Sequence, residues 1–372
     1  MRGPSVQPIV LAAGGTAGHL FPALAAGRVL AGRGHRLVLL TDTRAAERAA
    51  AEAPGWERHV IASAAVAGRG AAGKARAGIR LARGTIEARR LMARLRPAAV
   101  VGFGGYPSVP PVLAARLLSP RPAILLHEQN AVLGGANRFL ASRADRVALS
   151  HATTKFMPAG VPSVVTGNPV RPEIAALSGE GYAAPAETFD VLVVGGSLGA
   201  RVFADVVPAA LGLLAPEQRS RIRLVQQARA EDVARVSEAL AALGMAAEVA
   251  SFLTDMPARL ALAHLVVARA GATTVAELAV AGRPAILVPL PGAVDADQAL
   301  NAATLAEAGA AWPVAQAAFT PEVLAARLSE FIAAPQRLAA AAAAAASLGR
   351  PHAAEALADA VEAAIAAREV AR

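Results

Sequence analysis

The chain has 372 residues, enough for two domains with a core each, and lacks cysteine, which excludes disulfides and thiolate metal sites and suits a reducing compartment. Hydrophobic residues make up 55% and mean hydropathy is +0.43, yet much of this is alanine, and no run of roughly 18 strongly apolar residues marks a membrane span. Net charge is +9, but only 3% of residues are aromatic, which disfavours nucleic-acid binding by base stacking.

Residues 8–13 (PIVLAA) read as a buried parallel strand, too short and too quickly followed by glycines to be a signal peptide. The chain is therefore expected in the cytosol or on the cytosolic face of a membrane. Gly14-Gly15-Thr16-Ala17-Gly18-His19 follows, then a helix over 22–32 and a strand over 35–40, completing a first βαβ unit. Asp42 lies just past that second strand, where a dinucleotide-binding fold holds a ribose, so a dehydrogenase must be weighed. Gly-Gly-x-x-Gly is not the Gly-x-Gly-x-x-Gly such enzymes use.

Between Arg58 and Arg96 ten Lys or Arg residues accompany one acid, Glu87, so this segment carries a charge equal to the whole excess. A solvated helix face, a nucleic-acid patch and a patch for anionic lipid head groups compete, the first having the highest prior. Helices interrupted by Gly68, Gly70, Gly73, Gly78 and Gly84 are expected here. A strand over 98–101 leads to the loop GFGGYPSVPP (102–111), and a strand over 123–126 ends in His127-Glu128-Gln129-Asn130, where open α/β sheets bind ligands. Thr166 to Arg171 close this half, and a Gly/Ala/Pro-rich connector follows over 178–187.

The second half opens on FDVLVVGGSLGA from Phe189. Gly14 and Gly195 are 181 positions apart, and GGTAG superposes on GGSLG. Two copies of one design predict two doubly wound domains facing a cleft, where a dehydrogenase needs only one. Within 264–301 a strand (265–268) meets Gly271, and a helix starts with Ala272, Thr273 and Thr274 and carries Glu277. Helix-start N–H groups and hydroxyls favour an anion, while Glu277 suits ribose hydroxyls. A nucleotide-sugar pocket and an ordinary βαβ turn are about equally supported by these residues alone. A strand over 285–289 and a loop with Asp295, Asp297, Gln298 and Asn301 follow. From Pro321 onward the chain reads as helical, including eight alanines (339–346) with a structural role only.

Taken together, GGTAGHLFPA (14–23), GFGGYPS (102–108), HEQN (127–130), GNPVR (167–171), GGSLGA (195–200), ARAGATTVAEL (268–278) and DQALNA (297–302) closely resemble the MurG family, in order and over nearly the whole chain. These GT-B-fold enzymes transfer N-acetylglucosamine from its UDP donor to the 4-hydroxyl of lipid I, the undecaprenyl-linked muramoyl-pentapeptide, giving lipid II of peptidoglycan. The resemblance implies α/β architecture in two Rossmann-like domains. Residues 1–167 would be the acceptor and membrane-associating domain, with a C-terminal helix near 350–372 packing back on it. Residues 168–349 would bind UDP-GlcNAc.

Position by position, the resemblance puts the diphosphate on Ala272, Thr273, Thr274, Val275, Ala276 and Glu277, with Glu277 on the ribose. Arg171 and Ser197 would add phosphate donors, and the backbone around Leu253 would contact uracil. Gln298 and Asn301 would lie against the sugar, Asn130 would reach it from the first domain, and Thr16, Ala17 and Gly18 would face the donor and acceptor phosphates. His19 is the first candidate for the base that takes the acceptor proton, because imidazole titrates near neutral pH; Glu128 is the second. A helix-capping or orienting role for His19 stays open.

No cofactor is implied. Helix-end amides and Arg171 can receive the leaving charge without metal, although Asp295-Ala296-Asp297 has the Asp-x-Asp spacing of metal-dependent transferases of another fold. Implied partners are UDP-GlcNAc, lipid I, an anionic membrane surface through segment 58–96, and cell-wall and division proteins, with no nucleic acid; the place is the cytoplasmic face of the bacterial inner membrane, as a peripheral enzyme. Ala17, Leu198, Ala270 and Asp297 depart from the family pattern, which puts the Asp297–sugar contact in doubt. Ile79, Leu81, Leu117 and Leu118 stand where relatives can show aromatic residues. Another UDP-sugar transferase, a UDP-GlcNAc epimerase and a catalytically idle membrane adaptor are the rival readings.

Overall fold

The computed structural model describes residues 7–64, 70–196, 199–292 and 294–370. The chain divides into two compact units, Met1–Arg171 with His352–Arg372, and Pro172–Pro351.

In the first unit β1 (Ile9–Ala12), β2 (Leu37–Thr41), β3 (Glu57–Val60), β4 (Ala99–Gly102), β5 (Ala123–Glu128), β6 (Arg146–Leu149) and β7 (Ser163–Val165) form a parallel sheet in the order β3-β2-β1-β4-β5-β6-β7. Helices cover both faces, which is why β1, β2, β4 and β5 are uninterrupted buried runs rather than alternating ones. On one face Ala17–Gly32, Thr43–Glu52 and the C-terminal Ala353–Val370 close a core that includes Ile9, Leu11, Leu24, Ala49, Leu357 and Val361. On the other, Ala71–Leu95, Val109–Arg116 and Gly135–Leu140 close one with Val10, Val38, Met92, Val112 and Leu140.

The basic segment departs from expectation: Gly73, Gly78 and Gly84 do not interrupt its helix, and Gly70 caps it. Ala71–Leu95 is one 25-residue helix whose inward positions are Ala77, Gly84, Ala88 and Met92. A Cβ at Gly84 would overlap the Ala62 carbonyl oxygen, so glycine lets the helix pass close to that backbone. Glu87 accepts from Arg83 Nε at 2.9 Å and from the Ala62 N–H at 3.3 Å, and these bonds, Arg83 first, hold its carboxyl below the usual range. Gly68 and Arg69 lie outside the described residues.

The C-terminal helix is pinned by charge as well as by its apolar face. Glu362 accepts from Arg33 at 2.6 Å and pairs with His35 Nε2 at 2.8 Å, while Asp359 meets Arg33 at 2.7 Å. The His35 bond, then Arg33, keeps the Glu362 carboxyl below its ordinary range. A depressed carboxylate stabilises the fold above its unfolded pKa and ceases to as pH falls through its folded value. Glu362→Gln should therefore lower stability by about 1 kcal/mol near neutrality, the scale of exposed pairs in a network. The difference from wild type should shrink as pH falls below the ordinary glutamate range and vanish once the depressed Glu362 carboxyl is protonated, in thermal melts run as a pH series.

The second unit repeats the plan. β8 (Phe189–Val194), β9 (Ile222–Gln227), β10 (Ala247–Ala250), β11 (Leu265–Ala268), β12 (Ala285–Leu287) and β13 (Ala311–Pro313) form a parallel sheet ordered β10-β9-β8-β11-β12-β13. Both sheets thus reverse direction beside their first strand, at β1/β4 and at β8/β11, where open α/β sheets place ligands. The reversals match in detail: the Phe103 N–H donates to the Ala12 carbonyl at 2.9 Å, and the Arg269 N–H to that of Val194 at 3.4 Å. The alanine run lies in the helix Gln336–Leu348, where Ala341, Ala342 and Ala345 are buried and the helix packs on Ala272–Ala281. Among the described residues no single helix is long and apolar enough to cross a membrane.

Candidate functional site

In the first unit the helix after β1 begins at Ala17, inside the glycine motif, rather than at residue 22; Pro22 sits within it. Thr16 is the extended cap residue (φ −139°, ψ 160°), yet its hydroxyl makes no cap bond to the backbone. It lies instead 3.0 Å from His19 Nδ1. The imidazole rests on the loop after β4. A Cβ at Gly104 would come within 3.3 Å of His19 Cδ2, and one at Gly105 within 3.2 Å of Cε1 and Nδ1. Both glycines also hold positive φ, 82° and 68°, so any side chain there would be strained and would press on the ring. Ser108 fastens this loop, its hydroxyl 2.8 Å from the Ala12 carbonyl and 2.7 Å from that of Gly104.

Asp42, which kept a dehydrogenase in play, is buried and occupied. It accepts from the Gly15 and Ala45 N–H groups at 3.1 Å each and from the Tyr106 hydroxyl at 2.7 Å, so it caps a helix and fixes the glycine turn. Burial first, and then this bond to Asp42, push the Tyr106 phenol up.

The four polar residues at the end of β5 divide. His127 is fully buried, its Nε2 3.1 Å from the Gly167 carbonyl and its Nδ1 3.1 Å from Gln129 Nε2. Burial pushes it down to about 4, so it stays neutral and donates to Gly167. Gln129 also donates to the Phe103 carbonyl at 2.9 Å. Glu128 is 2% exposed. Its Oε1 accepts from the Asn130 N–H (3.1 Å) and Nδ2 (3.0 Å), its Oε2 from the Gly134 N–H and Asn137 Nδ2 (2.9 Å each). A carboxylate has about four acceptor sites, and all are taken. The second candidate base is thus engaged on every side by the protein. Asn130 is partly exposed and held by it. Arg171 lies with its guanidinium 5.7 Å from the Phe21 ring centroid.

In the second unit Gly271 caps the helix Ala272–Ala281 with an extended backbone (φ −64°, ψ 146°). The Val275 N–H already bonds the Gly271 carbonyl at 3.0 Å. The helix-start donors are therefore Ala272, Thr273 and Thr274. The Val275 and Ala276 N–H groups serve the helix, and the Val275 side chain is buried. Thr273 Oγ1 is buried with no partner among the described residues. Glu277 stands one turn behind Thr273 on the same face and is partly exposed.

Asp297, Gln298 and Asn301 are on a helix, Asp297–Glu307, rather than in a loop. Asn301 is 0% exposed and donates to the Ala270 carbonyl at 3.2 Å, so it lies beneath the turn. Gln298 accepts from the Leu290 N–H at 2.9 Å, and Asp297 Oδ1 from the Gln298 N–H at 2.7 Å. The preceding Asp295 and Ala296 are left-handed (φ 60° and 53°). The Leu253 side chain is buried, leaving only backbone to meet a base. Ser197 lies outside the described residues.

Two further guanidiniums, those of Arg269 and Arg229, stand at the second sheet reversal. Arg269 donates to the Val288 carbonyl at 3.0 Å and to Gln316 Oε1 at 2.6 Å. Burial, and then the charge of Arg229, pull its pKa down. Arg229 packs on the second glycine turn, its Cγ 3.0 Å from where a Cβ on Gly199 would stand. A like-charged pair beside two turns at a sheet reversal is an arrangement an anion stabilises. The signal available was a basic residue soon after β9.

Residues 9–149 match the glycosyltransferase family 28 N-terminal domain and residues 190–359 its C-terminal domain. A UDP-N-acetylglucosamine--N-acetylmuramyl-(pentapeptide) pyrophosphoryl-undecaprenol N-acetylglucosamine transferase of Acidiphilium cryptum is 52% identical, over 99% of this chain and 100% of that one. The protein of the same name from Granulibacter bethesdensis is 50% identical over 97% and 94%. The crystal structure of Acinetobacter baumannii MurG superposes with a TM-score of 0.77 at 32% identity, covering 95% of this chain and 99% of that one.

Proposed function

The chain belongs to glycosyltransferase family 28, within its MurG family of N-acetylglucosamine transferases, and from that premise we infer how its residues divide the reaction. The enzyme transfers N-acetylglucosamine from UDP-GlcNAc to the 4-hydroxyl of the undecaprenyl-linked muramoyl-pentapeptide, lipid I, giving lipid II. One observation carries the division of labour. Each unit brings a glycine turn and a helix start to its sheet reversal, the first with a held imidazole, the second with three helix-start N–H groups and two guanidiniums.

The acceptor hydroxyl gives its proton to His19 Nε2 as its oxygen attacks the anomeric carbon. In the tautomer whose Nδ1–H donates to the Thr16 hydroxyl 3.0 Å away, Nε2 carries the lone pair. The new C–O bond forms on the face opposite the breaking bond to the β-phosphate, so configuration inverts. The leaving diphosphate charge is received by the N–H groups of Ala272, Thr273 and Thr274, by the Thr273 hydroxyl, and by Arg171 and Arg229; the proposal involves no metal. Glu277 binds the ribose, Gln298 and Asn130 the sugar, and the turn at Thr16, Ala17 and Gly18 the acceptor phosphates. Glu128 acts through Asn130, as a positioning residue.

The basic helix supports a peripheral attachment to anionic lipid on the cytosolic side. Lys74, Arg76, Arg80, Arg83, Arg89, Arg90 and Arg94 are all exposed along Ala71–Leu95. Ile79 and Leu117 stand out among them, joined by Ile86, whereas Leu81 and Leu118 pack against the core. Each basic residue near the surface contributes about 1 kcal/mol, lost as salt rises.

Label from UDP-GlcNAc should appear on lipid I, and the linkage formed should be β by NMR. A lipid I analogue lacking the muramoyl 4-hydroxyl should accept nothing. Transfer to that analogue at the normal rate would sink the assignment of the nucleophile.

A further inference from the structure

The helix Gly135–Leu140 has two sides with different business. Inward, Asn137 donates to Glu128 at 2.9 Å and lies 3.0 Å from the His127 carbonyl. Outward, Phe139 is 50% exposed, and Phe156, on the adjoining segment, is 57% exposed. That segment is fixed to the helix's approach by paired backbone bonds, Leu133 N–H to Lys155 carbonyl at 2.9 Å and Lys155 N–H to Ala131 carbonyl at 3.0 Å. Each ring is faced by a guanidinium, Arg143 at 4.5 Å from the Phe139 centroid and Arg138 at 4.4 Å from that of Phe156. Phe156 also holds a left-handed backbone (φ 62°), a costly conformation for an aromatic residue that leaves its ring outside the fold. Between residues 129 and 172 Asp145 is the sole acid, and it is taken by Arg121 and the Ile124 N–H.

Exposed aromatic rings paired with arginines and lacking acids match the interfacial region of an anionic bilayer, where rings sit at headgroup depth and guanidiniums meet phosphate. The cluster lies on the same face of the first sheet as the basic helix Ala71–Leu95, and the helix Val109–Arg116, ending beside Leu117, lies between the two in the same layer. We propose that Phe139, Phe156, Arg138, Arg143 and Lys155 form a second membrane contact, the aromatic one, for anionic phospholipid. This rests on reading that face as the membrane-attached one. Electrostatic attraction then comes from Ala71–Leu95, and seating at a defined depth from Phe139 and Phe156. The helix that carries Phe139 to the lipid also carries Asn137 to Glu128, so docking and the acceptor side of the site share one short element.

Phe139→Trp reports the contact directly, after subtracting the signal of Trp56 and Trp312 in the parent protein. With phosphatidylglycerol-containing vesicles its emission should shift to the blue and be quenched by lipids brominated near the headgroup. F139A/F156A should bind these vesicles about tenfold more weakly at both low and high salt. Its turnover of a short-chain, water-soluble acceptor should equal that of the parent. Replacing Arg80, Arg83 and Arg90 by Gln should weaken binding at low salt only. If the parent binds vesicles while the new tryptophan is unshifted and F139A/F156A binds equally well, the aromatic contact is wrong and the basic helix stands. If the parent binds no vesicles at any salt, the membrane reading of this face fails and the contact with it. A shift produced by single-stranded oligonucleotide and not by vesicles would overturn the choice of partner.

Discussion

Replacing His19 by glutamine should cut kcat for transfer to lipid I by about 10²–10⁴-fold, the range general-base catalysis contributes. Affinity for UDP-GlcNAc, measured by calorimetry, should stay within about twofold, and the melting temperature should hardly move, because the ring is partly exposed and outside the core. The split matters more than the size. A residue that merely oriented substrate would change KM along with kcat, whereas a base acts only once the acceptor proton is in motion. Thr16→Val should show a weaker form of the same loss, since it removes the partner of Nδ1 at 3.0 Å, and Thr16→Ser should restore it. Near-normal kcat in His19→Gln would move the base elsewhere.

Glu128→Gln should fail differently. The carboxylate takes four N–H donors at 2.9–3.1 Å in a site that is 2% exposed. A carboxamide turns one acceptor oxygen into a donor aimed at other donors, and Glu128→Ala abandons all of them. Each should cost about 3 kcal/mol, as broken buried charged networks do. The first domain's melting temperature should fall by about 6–12 °C at this size. Were Glu128 the base, Glu128→Gln assayed well below its melting temperature would still lose kcat by about the 10²–10⁴-fold expected of a missing base.

Much of this was legible along the chain, because some signals are local. Short uninterrupted apolar runs bounded by turn residues, such as those at Ile9 and Ala123, fit strands covered on both sides, and the paired glycine turns after β1 and β8 do mark the two sheet reversals. The helix start at Ala272 was equally readable from Gly271 and the two threonines. What escaped depended on distant partners. Gly84 reads as a helix breaker until the Ala62 carbonyl is beside it. Glu128 reads as an active-site acid until Asn137 and the turn at Gly134 surround it. Asn301 shows no sign in its own stretch that it faces inward, and the Arg229–Arg269 pair is made by strand order rather than spacing. Pro22 suggested a late start for a helix that begins with Thr16 as its cap.

The Asn301 bond to the Ala270 carbonyl has a consequence for how a donor is sensed. It ties the helix bearing Gln298 to the turn at Gly271, so on the proposed assignment the groups that meet hexose and pyrophosphate are joined rather than independent. A nucleotide without its sugar would leave that joined pair half-engaged, and a sugar of the wrong shape would pry at the turn as well as at its own contacts. On that assignment, discrimination among donors passes between the sugar end and the phosphate end by way of the Asn301 amide.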